Sequence, residues 1–129
     1  MIYLDSAATS FRKPRSVARA VARAMETLSS PGRGGYESAM LASDTLLECR
    51  LALQRLFHVP EAEGVVFTLN ATHALNIAIR SLVPPGGRAV ISGWEHNAVT
   101  RPLHALRAEL RVARGRLFDD AAFLEDWER

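Results

Sequence analysis

Short strand-like runs alternate with segments of helical periodicity in the second half of the chain, and this alternation constrains the fold more than any other feature. Three runs rich in β-branched or other apolar residues have strand character: residues 65–68, 88–92 and 110–113. Strands that alternate with helices pair in parallel through right-handed crossovers, and the helices pack on the sheet faces. We therefore predict an α/β fold, a three-layer sandwich with a mostly parallel sheet.

Apolar residues at spacings of three and four predict five helices. They cover residues 16–28, 37–57, 71–82, 98–110 and a last segment that is capped by Asp119 and Asp120. Ser16 is the expected N-cap of the first helix, and Pro102 must lie in the first turn of the fourth because proline lacks an N–H. Cys49 falls on the apolar face of the second helix, which favours a buried structural cysteine over a nucleophile. Residues 1–15 are predicted to form an irregular N-terminal segment, and residues 1–129 together are expected to form one domain or one piece of a domain.

Composition excludes several classes of protein. The 129 residues are 48% hydrophobic and 23% charged, which is typical of globular domains and not of disordered or collagen-like chains. The sequence has no long apolar run, no secretory leader pattern and a single cysteine, so we expect a cytoplasmic protein with no membrane partner. The 16 basic residues are scattered among 14 acidic ones, so no nucleic-acid partner is expected. The histidines share no metal-ligand spacing, and no metal site is predicted.

The turn at residues 68–72 follows a predicted strand and opens a predicted helix. Free backbone N–H groups at such a turn suit an anion, above all a phosphate, and Thr72 adds a hydroxyl. Ligands of open parallel sheets bind at the carboxyl ends of the strands, where this turn is expected. A plain helix cap, in which Asn70 or Thr72 bonds the helix end and nothing else binds, is the simpler interpretation of the spacing.

Residues 94–97, Trp-Glu-His-Asn, follow the next predicted strand at the same edge of the sheet. A histidine there can stack on a planar ring or move a proton near neutral pH, although most loop histidines are simply solvated. Residues 32–35, Gly-Arg-Gly-Gly, match neither the dinucleotide-binding nor the P-loop pattern, and are best described as a mobile loop that presents Arg33. Two candidate loops at one sheet edge favour a binding site there.

Four segments in order, residues 3–9, 31–36, 66–76 and 95–103, together resemble the class V aminotransferase-fold enzymes, in the branch of the cysteine desulfurases and selenocysteine lyases. The opening of such enzymes is similar to residues 3–9, Tyr-Leu-Asp-Ser-Ala-Ala-Thr. The arginine-glycine loop of one branch resembles residues 31–36, Pro-Gly-Arg-Gly-Gly-Tyr. The family's phosphate-loop motif is similar to residues 66–76, and its Glu-His motif resembles residues 95–99 followed by Arg-Pro-Leu. Together these segments extend over nearly the whole chain.

The resemblance implies part of the large domain of a fold-type-I enzyme that uses pyridoxal 5′-phosphate (PLP). Ala71 and Thr72 match the positions that hold the cofactor phosphate. His96 matches the histidine that stacks on the pyridine ring and assists proton transfer. Ala8 and Arg33 would lie near an amino-acid substrate such as cysteine, at the interface of a homodimer. The implied activity is a cysteine desulfurase, with selenocysteine-lyase or aminotransferase chemistry as the runner-up.

Two features depart from the family pattern. His73 stands where the family often has glutamate. The lysine that holds the cofactor, the acidic residue at its ring nitrogen and the sulfur-accepting cysteine all lie downstream of the Glu-His motif in the family, and the single lysine of this chain, Lys13, matches no catalytic position. We therefore expect the N-terminal portion of such an enzyme, truncated and inactive alone. The alternative is a catalytically inactive or degenerate α/β module with a binding or assembly role.

Overall fold

Two helices and a short 3₁₀ turn make up the first half of the protein. The computed structural model describes residues 2–115 and 118–128, and the chain divides into two units, Met1–Val66 and Phe67–Arg129. In the first unit, α1 spans Arg15–Thr27, α2 spans Glu37–Phe57 and the 3₁₀ turn spans Ala62–Gly64. The bounds of α2 are those predicted. The expected cap of α1 was wrong, because α1 follows Pro14 without a side-chain cap and Ser16 lies inside its first turn.

The second unit is built around a pair of parallel strands. In chain order it contains α3 (Ala71–Leu82), β1 (Arg88–Ser92), α4 (Asn97–Ala105), β2 (Glu109–Ala113) and α5 (Asp120–Glu128). Arg88 pairs with Glu109 and Ser92 pairs with Ala113, so the two strands are in register along their whole length. Parallel strands need a crossover between them, which α4 provides. The predicted α/β class and the predicted bounds of α3 are therefore confirmed.

The predicted strand at residues 65–68 was wrong. Val65 has extended backbone angles, φ −93° and ψ 113°, but residues 65–68 are not part of the two-stranded sheet in the described ranges. Their β-branched residues favour an extended backbone, and that preference by itself does not add a strand to a sheet. The described residues thus form a two-stranded sheet in place of the three strands that the sequence predicted.

The helix α4 ends five residues earlier than predicted. Arg107 adopts a left-handed backbone conformation with φ 53°, and the N–H of Ala108 donates to the carbonyl oxygen of Leu103 at 3.0 Å. Such a left-handed residue ends a helix, and here it turns the chain into β2. Pro102 is buried inside α4, as its sixth residue, and not in the first turn.

The C-terminal ends of α3 and α4 lie together. Gly86, which follows α3, donates its N–H to the carbonyl oxygen of Leu106, which follows α4, at 2.8 Å. The N–H of Glu109 donates to the carbonyl oxygen of Gly87, also at 2.8 Å. Since α3 and α4 also pack side by side, the two helices run in the same direction. Their N-terminal ends therefore lie at the same end of the second unit.

The last helix, α5, is held against β2. Asp119 caps it as predicted, because its Oδ1 atom accepts the N–H of Ala122 at 3.1 Å. The carboxylate of Asp126 accepts the N–H of Arg114 at 2.5 Å, and the guanidinium of Arg111 donates to the Asp126 carbonyl oxygen at 2.8 Å. These bonds link the end of β2 to the far end of α5.

Few hydrophobic side chains of the described residues are buried, and most of those are small. The buried set is Pro102 of α4 together with Ala39, Ala42, Ala62, Ile91, Ala98, Leu103 and Ala113. The apolar stripe of α2 continues beyond this set to Leu46 and Leu56, which are 39% and 67% exposed. Cys49 lies on that stretch and is exposed, so the predicted burial of its thiol was wrong. None of the described helices is long and apolar enough to cross a membrane.

Candidate functional site

A groove of about 410 Å³ lies between α3 and α4. One wall consists of Thr72, Asn76 and Arg80, which are spaced by four residues and therefore share one face of α3. The other wall comes from α4 and the residue before it. Its lining residues are His96, Asn97, Ala98, Arg101, Pro102 and Ala105. The groove thus contains two of the residues predicted for the site, Thr72 and His96.

The two loops that the sequence singled out lie at the same end of this groove. Thr72 is the second residue of α3, and His96 immediately precedes α4. Because the helices run in the same direction, both positions mark the N-terminal end of the groove. Two helix N-termini side by side give this end a positive electrostatic potential, which favours an anion.

The N-terminus of α3 is capped but keeps free donors. The Oδ1 atom of Asn70 accepts the N–H of His73 at 2.9 Å, and the Asn70 carbonyl oxygen accepts the N–H of Ala74 at 3.1 Å. Within the described ranges the N–H groups of Ala71 and Thr72 have no hydrogen-bond partner. Asn70 therefore forms the simple helix cap that the spacing indicated. This cap leaves two N–H groups available to an acceptor outside the helix.

His73 takes part in this cap, a role that sequence reasoning missed. Its Nδ1 atom accepts the N–H of Leu69 at 3.5 Å, while its own N–H bonds to Asn70. The third residue of a helix often reaches back in this way, usually as Glu or Gln. His73 supplies an acceptor where the family often has a glutamate. Its position three residues after Asn70 was the signal that could have found this contact.

His96 is the N-cap of α4 and not an unattached loop residue. Its Nδ1 atom accepts the N–H of Ala98 at 3.1 Å. Because Nδ1 accepts a hydrogen bond, the neutral ring carries its proton on Nε2. Sequence reasoning did not find this cap, because histidine is not among the residues that usually occupy the position. The bond fixes the ring through one nitrogen and leaves the other for a ligand.

The turn before His96 is held by Ser92 and Glu95. The Ser92 hydroxyl donates to the Oε1 atom of Glu95 at 2.8 Å and accepts the N–H of Trp94 at 3.3 Å. The N–H of Gly93 donates to the carbonyl oxygen of Ala113 at 3.2 Å, which continues the pairing of the strands by one bond. The end of β1 therefore determines where α4 starts.

The charged side chains of the groove are both cationic. Arg80 and Arg101 line it, and no carboxylate does. In the part of the chain that the structure describes, neither guanidinium forms an ion pair. The groove therefore combines two arginines with the positive ends of two helices, and this arrangement suits an anionic ligand.

Ala8 and Arg33 belong to the first unit, whereas second-unit residues alone form the groove. The N–H of Ala8 donates to the carbonyl oxygen of Asp5 at 3.1 Å in an exposed turn. Arg33 is also exposed and follows Gly32, which has a left-handed φ of 77°. The N–H of Gly32 donates to the Ser43 hydroxyl oxygen at 3.1 Å, so this loop is attached to α2.

Comparison with known proteins identifies the family. The family model for aminotransferase class-V matches residues 2–117. The chain belongs to the class-V aminotransferase family. This result confirms the resemblance that the four sequence motifs indicated.

Two curated relatives are similar to most of the chain. A probable cysteine desulfurase of Halalkalibacterium halodurans is 32% identical over 103 residues, which cover 76% of this chain and 25% of that protein. A cysteine desulfurase of Dickeya dadantii is 28% identical over 110 residues, which cover 82% of this chain and 27% of that protein. The chain thus spans about a quarter of the length of the curated relatives it matches.

Proposed function

We propose that this chain forms the cofactor-phosphate end of a PLP-dependent enzyme of the cysteine desulfurase type. One observation carries the proposal: the free N–H groups of Ala71 and Thr72 lie at the start of α3, and Thr72 lines a groove whose other wall begins at His96. Membership of the aminotransferase class-V family and similarity to two cysteine desulfurases support the same chemistry.

The residues present fit a phosphate monoester attached to an aromatic ring. The N–H groups of Ala71 and Thr72, the Thr72 hydroxyl and the positive end of α3 suit a phosphate dianion. The flat imidazole of His96 suits stacking against a pyridine ring. No carboxylate lines the groove to repel the phosphate. When bound, PLP supplies an electron sink for bonds at the α-carbon of an amino acid.

In this proposal His96 both orients the ring that it stacks on and holds a proton. The bond from the Ala98 N–H to Nδ1 fixes the imidazole and leaves the proton on Nε2. The Ser92–Glu95 hydrogen bond fixes the turn that carries His96. A histidine that is fixed through one nitrogen and free at the other is a typical general acid or base.

Other parts of the proposal come from the family. Arg33 and Ala8 would lie near an amino-acid substrate such as cysteine. The exposed guanidinium of Arg33 can bind a carboxylate through two parallel hydrogen bonds. The β1–β2 pair would extend into the larger parallel sheet of a three-layer sandwich, which would pair the free strand edges. We further propose that the complete protein is a cytoplasmic homodimer.

The second candidate function is a catalytically inactive module with a binding or assembly role. Lys13 is the single lysine of the chain, and its Nζ atom donates to the carbonyl oxygen of Ser10 at 2.5 Å in the first unit. No lysine lines the groove. A covalent attachment of PLP in the groove would therefore need a lysine that this chain does not supply, and that requirement favours the module for the chain by itself.

A titration without covalent chemistry tests the cofactor site. Pyridoxine 5′-phosphate carries the ring and the phosphate of PLP but no aldehyde, so it cannot react with Lys13. Added to ¹⁵N-labelled protein, it should shift the amide signals of Ala71 and Thr72 and the imidazole signals of His96. Pyridoxine, which lacks the phosphate, should leave the two amides unchanged. If both compounds give the same shifts, the phosphate site is wrong.

A second experiment separates the enzyme from the module. The product of the complete natural reading frame should release sulfur from cysteine in the presence of PLP, and borohydride should trap PLP on a lysine other than Lys13. A complete product that binds pyridoxine 5′-phosphate but shows neither result would be the inactive module.

A further inference from the structure

The groove continues along the two helices beyond the residues assigned to the cofactor, and two arginines line this continuation. Arg101 lies one turn after Asn97 on the groove face of α4, and Arg80 lies two turns after Thr72 on the groove face of α3. We propose that Arg101 is a further binding residue for the anionic group at the N-terminal end of the groove, and that Arg80 contributes less. This inference rests on the proposed function, because it concerns the same phosphate.

The shared direction of the two helices determines how close each arginine side chain comes to the N-terminal end of the groove. Side chains on an α-helix lean toward its N-terminus. Arg101 is four residues beyond Asn97, a rise of about 6 Å, which an arginine side chain can span. Arg80 is eight residues beyond Thr72, a rise of about 12 Å, which an arginine side chain spans only in part. Arg101 is therefore the closer donor for an anion at the shared end.

No competing acid neutralises these guanidinium groups. The ion pair in the described residues joins Arg111 to Asp126 at 3.7 Å, outside the groove. Both Arg80 and Arg101 are exposed and without an acidic partner in the described residues. A planar guanidinium binds two oxygens of one phosphate at once, and Lys or Gln at the same position cannot do so.

Such a residue would make the site selective for a dianion. Two free N–H groups bind any small acceptor, whereas a nearby fixed cation distinguishes a phosphate monoester from the uncharged alcohol. The ligand class is accordingly an organic phosphate monoester on a flat ring. Inorganic phosphate shares the anionic chemistry and should compete, whereas it lacks the ring that would contact His96.

Four single substitutions test the inference on the whole chain, three to glutamine and one to lysine. Dissociation constants for pyridoxine 5′-phosphate, pyridoxine and inorganic phosphate are measured by NMR titration at low ionic strength. Arg101→Gln should weaken binding of pyridoxine 5′-phosphate and of inorganic phosphate by about three- to tenfold and leave pyridoxine unchanged. Arg80→Gln should weaken both phosphates by less than about twofold. Arg107→Gln, which removes an exposed arginine outside the groove, is the matched control and should have no effect.

The possible outcomes separate this inference from the proposed function. If the wild type prefers pyridoxine 5′-phosphate to pyridoxine but Arg101→Gln behaves like Arg107→Gln, the role of Arg101 is wrong and the cofactor site stands. Larger losses for Arg80→Gln than for Arg101→Gln would likewise overturn the assignment. If the wild type does not distinguish the two pyridoxines, the phosphate site and the inference both fail. Thermal melting of each variant confirms folding, and Arg101→Lys, which keeps the charge, should give an intermediate affinity.

Discussion

The Nδ1 atom of His96 lies 3.1 Å from the backbone nitrogen of Ala98 and accepts its hydrogen bond. One side chain therefore caps α4 and is also the residue proposed to contact the cofactor ring. Replacing a solvated loop histidine would be expected to change stability by less than about 0.5 kcal/mol. The cap changes that expectation, and a test of the chemistry must keep the helix end intact.

Two substitutions of His96 separate these roles. His96→Ala removes the acceptor, and loss of an N-cap typically costs about 1 kcal/mol of the free energy of unfolding. His96→Asn keeps a side-chain oxygen that can accept the Ala98 N–H, so stability should stay within about 0.5 kcal/mol of the wild type. In the complete PLP-loaded enzyme both variants should react about 10²–10⁴ times more slowly, because each lacks the imidazole.

Melting curves and single-turnover kinetics together check this prediction. His104→Ala, which removes an exposed histidine from the last turn of the same helix, is the control and should retain normal turnover. Normal turnover in a folded His96→Asn variant would show that His96 acts as a cap alone.

The sequence predicted the bounds of a helix correctly where the apolar periodicity and the helix-breaking residues agreed. α2 and α3 have the predicted bounds because the apolar stripe of each helix ends shortly before a proline, Pro60 after α2 and Pro84 after α3. The end of α4 could not be predicted, because it depends on Arg107 adopting φ 53°, a conformation that arginine rarely favours. Residues 65–68 have strand composition, yet tertiary packing decides whether an extended segment joins a sheet, and composition does not determine that packing.

Asn70 should be the main contributor to the stability of the α3 end. Its Oδ1 atom accepts the His73 N–H at 2.9 Å. Asn70→Ala should cost about 1 kcal/mol, while Asn70→Asp keeps the acceptor and adds a negative charge at the positive helix end, so it should be neutral or slightly stabilising. Chemical denaturation measures both changes. An Asp variant as unstable as the Ala variant would contradict this account of the cap.

Part of the site was predictable from the order of the elements. The loops before the third and fourth helices were expected to meet at one sheet edge, and Thr72 and His96 do line one groove, but they do so through the packing of α3 on α4. The pair of arginines was not predictable, because Arg80 and Arg101 line the same groove through the packing of α3 against α4. That packing depends on how the turns after the two helices bond to each other, which no local pattern encodes.

Ser92 should position His96 through Glu95. The Ser92 hydroxyl donates to the Glu95 carboxylate at 2.8 Å, and a hydrogen bond to a charged group contributes about 1.5–3 kcal/mol. Glu95 is partly solvated here, so we expect Ser92→Ala to cost about 1 kcal/mol. The readout beyond stability is the His96 imidazole, whose NMR signals should broaden or move as the turn loosens. Ser81→Ala, at an exposed position of α3, is the control; equal His96 spectra in both variants would contradict the coupling.

Any side chain at Gly115 should destabilise the protein, because α5 packs directly against the α-carbon of this glycine. A Cβ atom at this position would overlap the Cα of Phe123, which is backbone and cannot rotate away. Gly115→Ala should therefore displace α5 and cost about 1–3 kcal/mol, the usual range for overpacking. The displacement has a specific optical signal, since both tryptophans of the protein, Trp94 and Trp127, have ring centroids 5.7 Å from that of Phe123.

The tryptophan emission of Gly115→Ala should accordingly move to longer wavelength as the rings become hydrated, and the melting temperature should fall. Gly35→Ala is the matched control: a Cβ there meets no atom within 4 Å and the backbone is not left-handed, so stability should change by less than about 0.5 kcal/mol. A Gly115→Ala variant with wild-type emission and stability would mean that α5 does not pack on β2 through Phe123. Displacement of α5 would also break the bond from the Arg114 N–H to Asp126, and hydrogen exchange of that amide should rise in the variant.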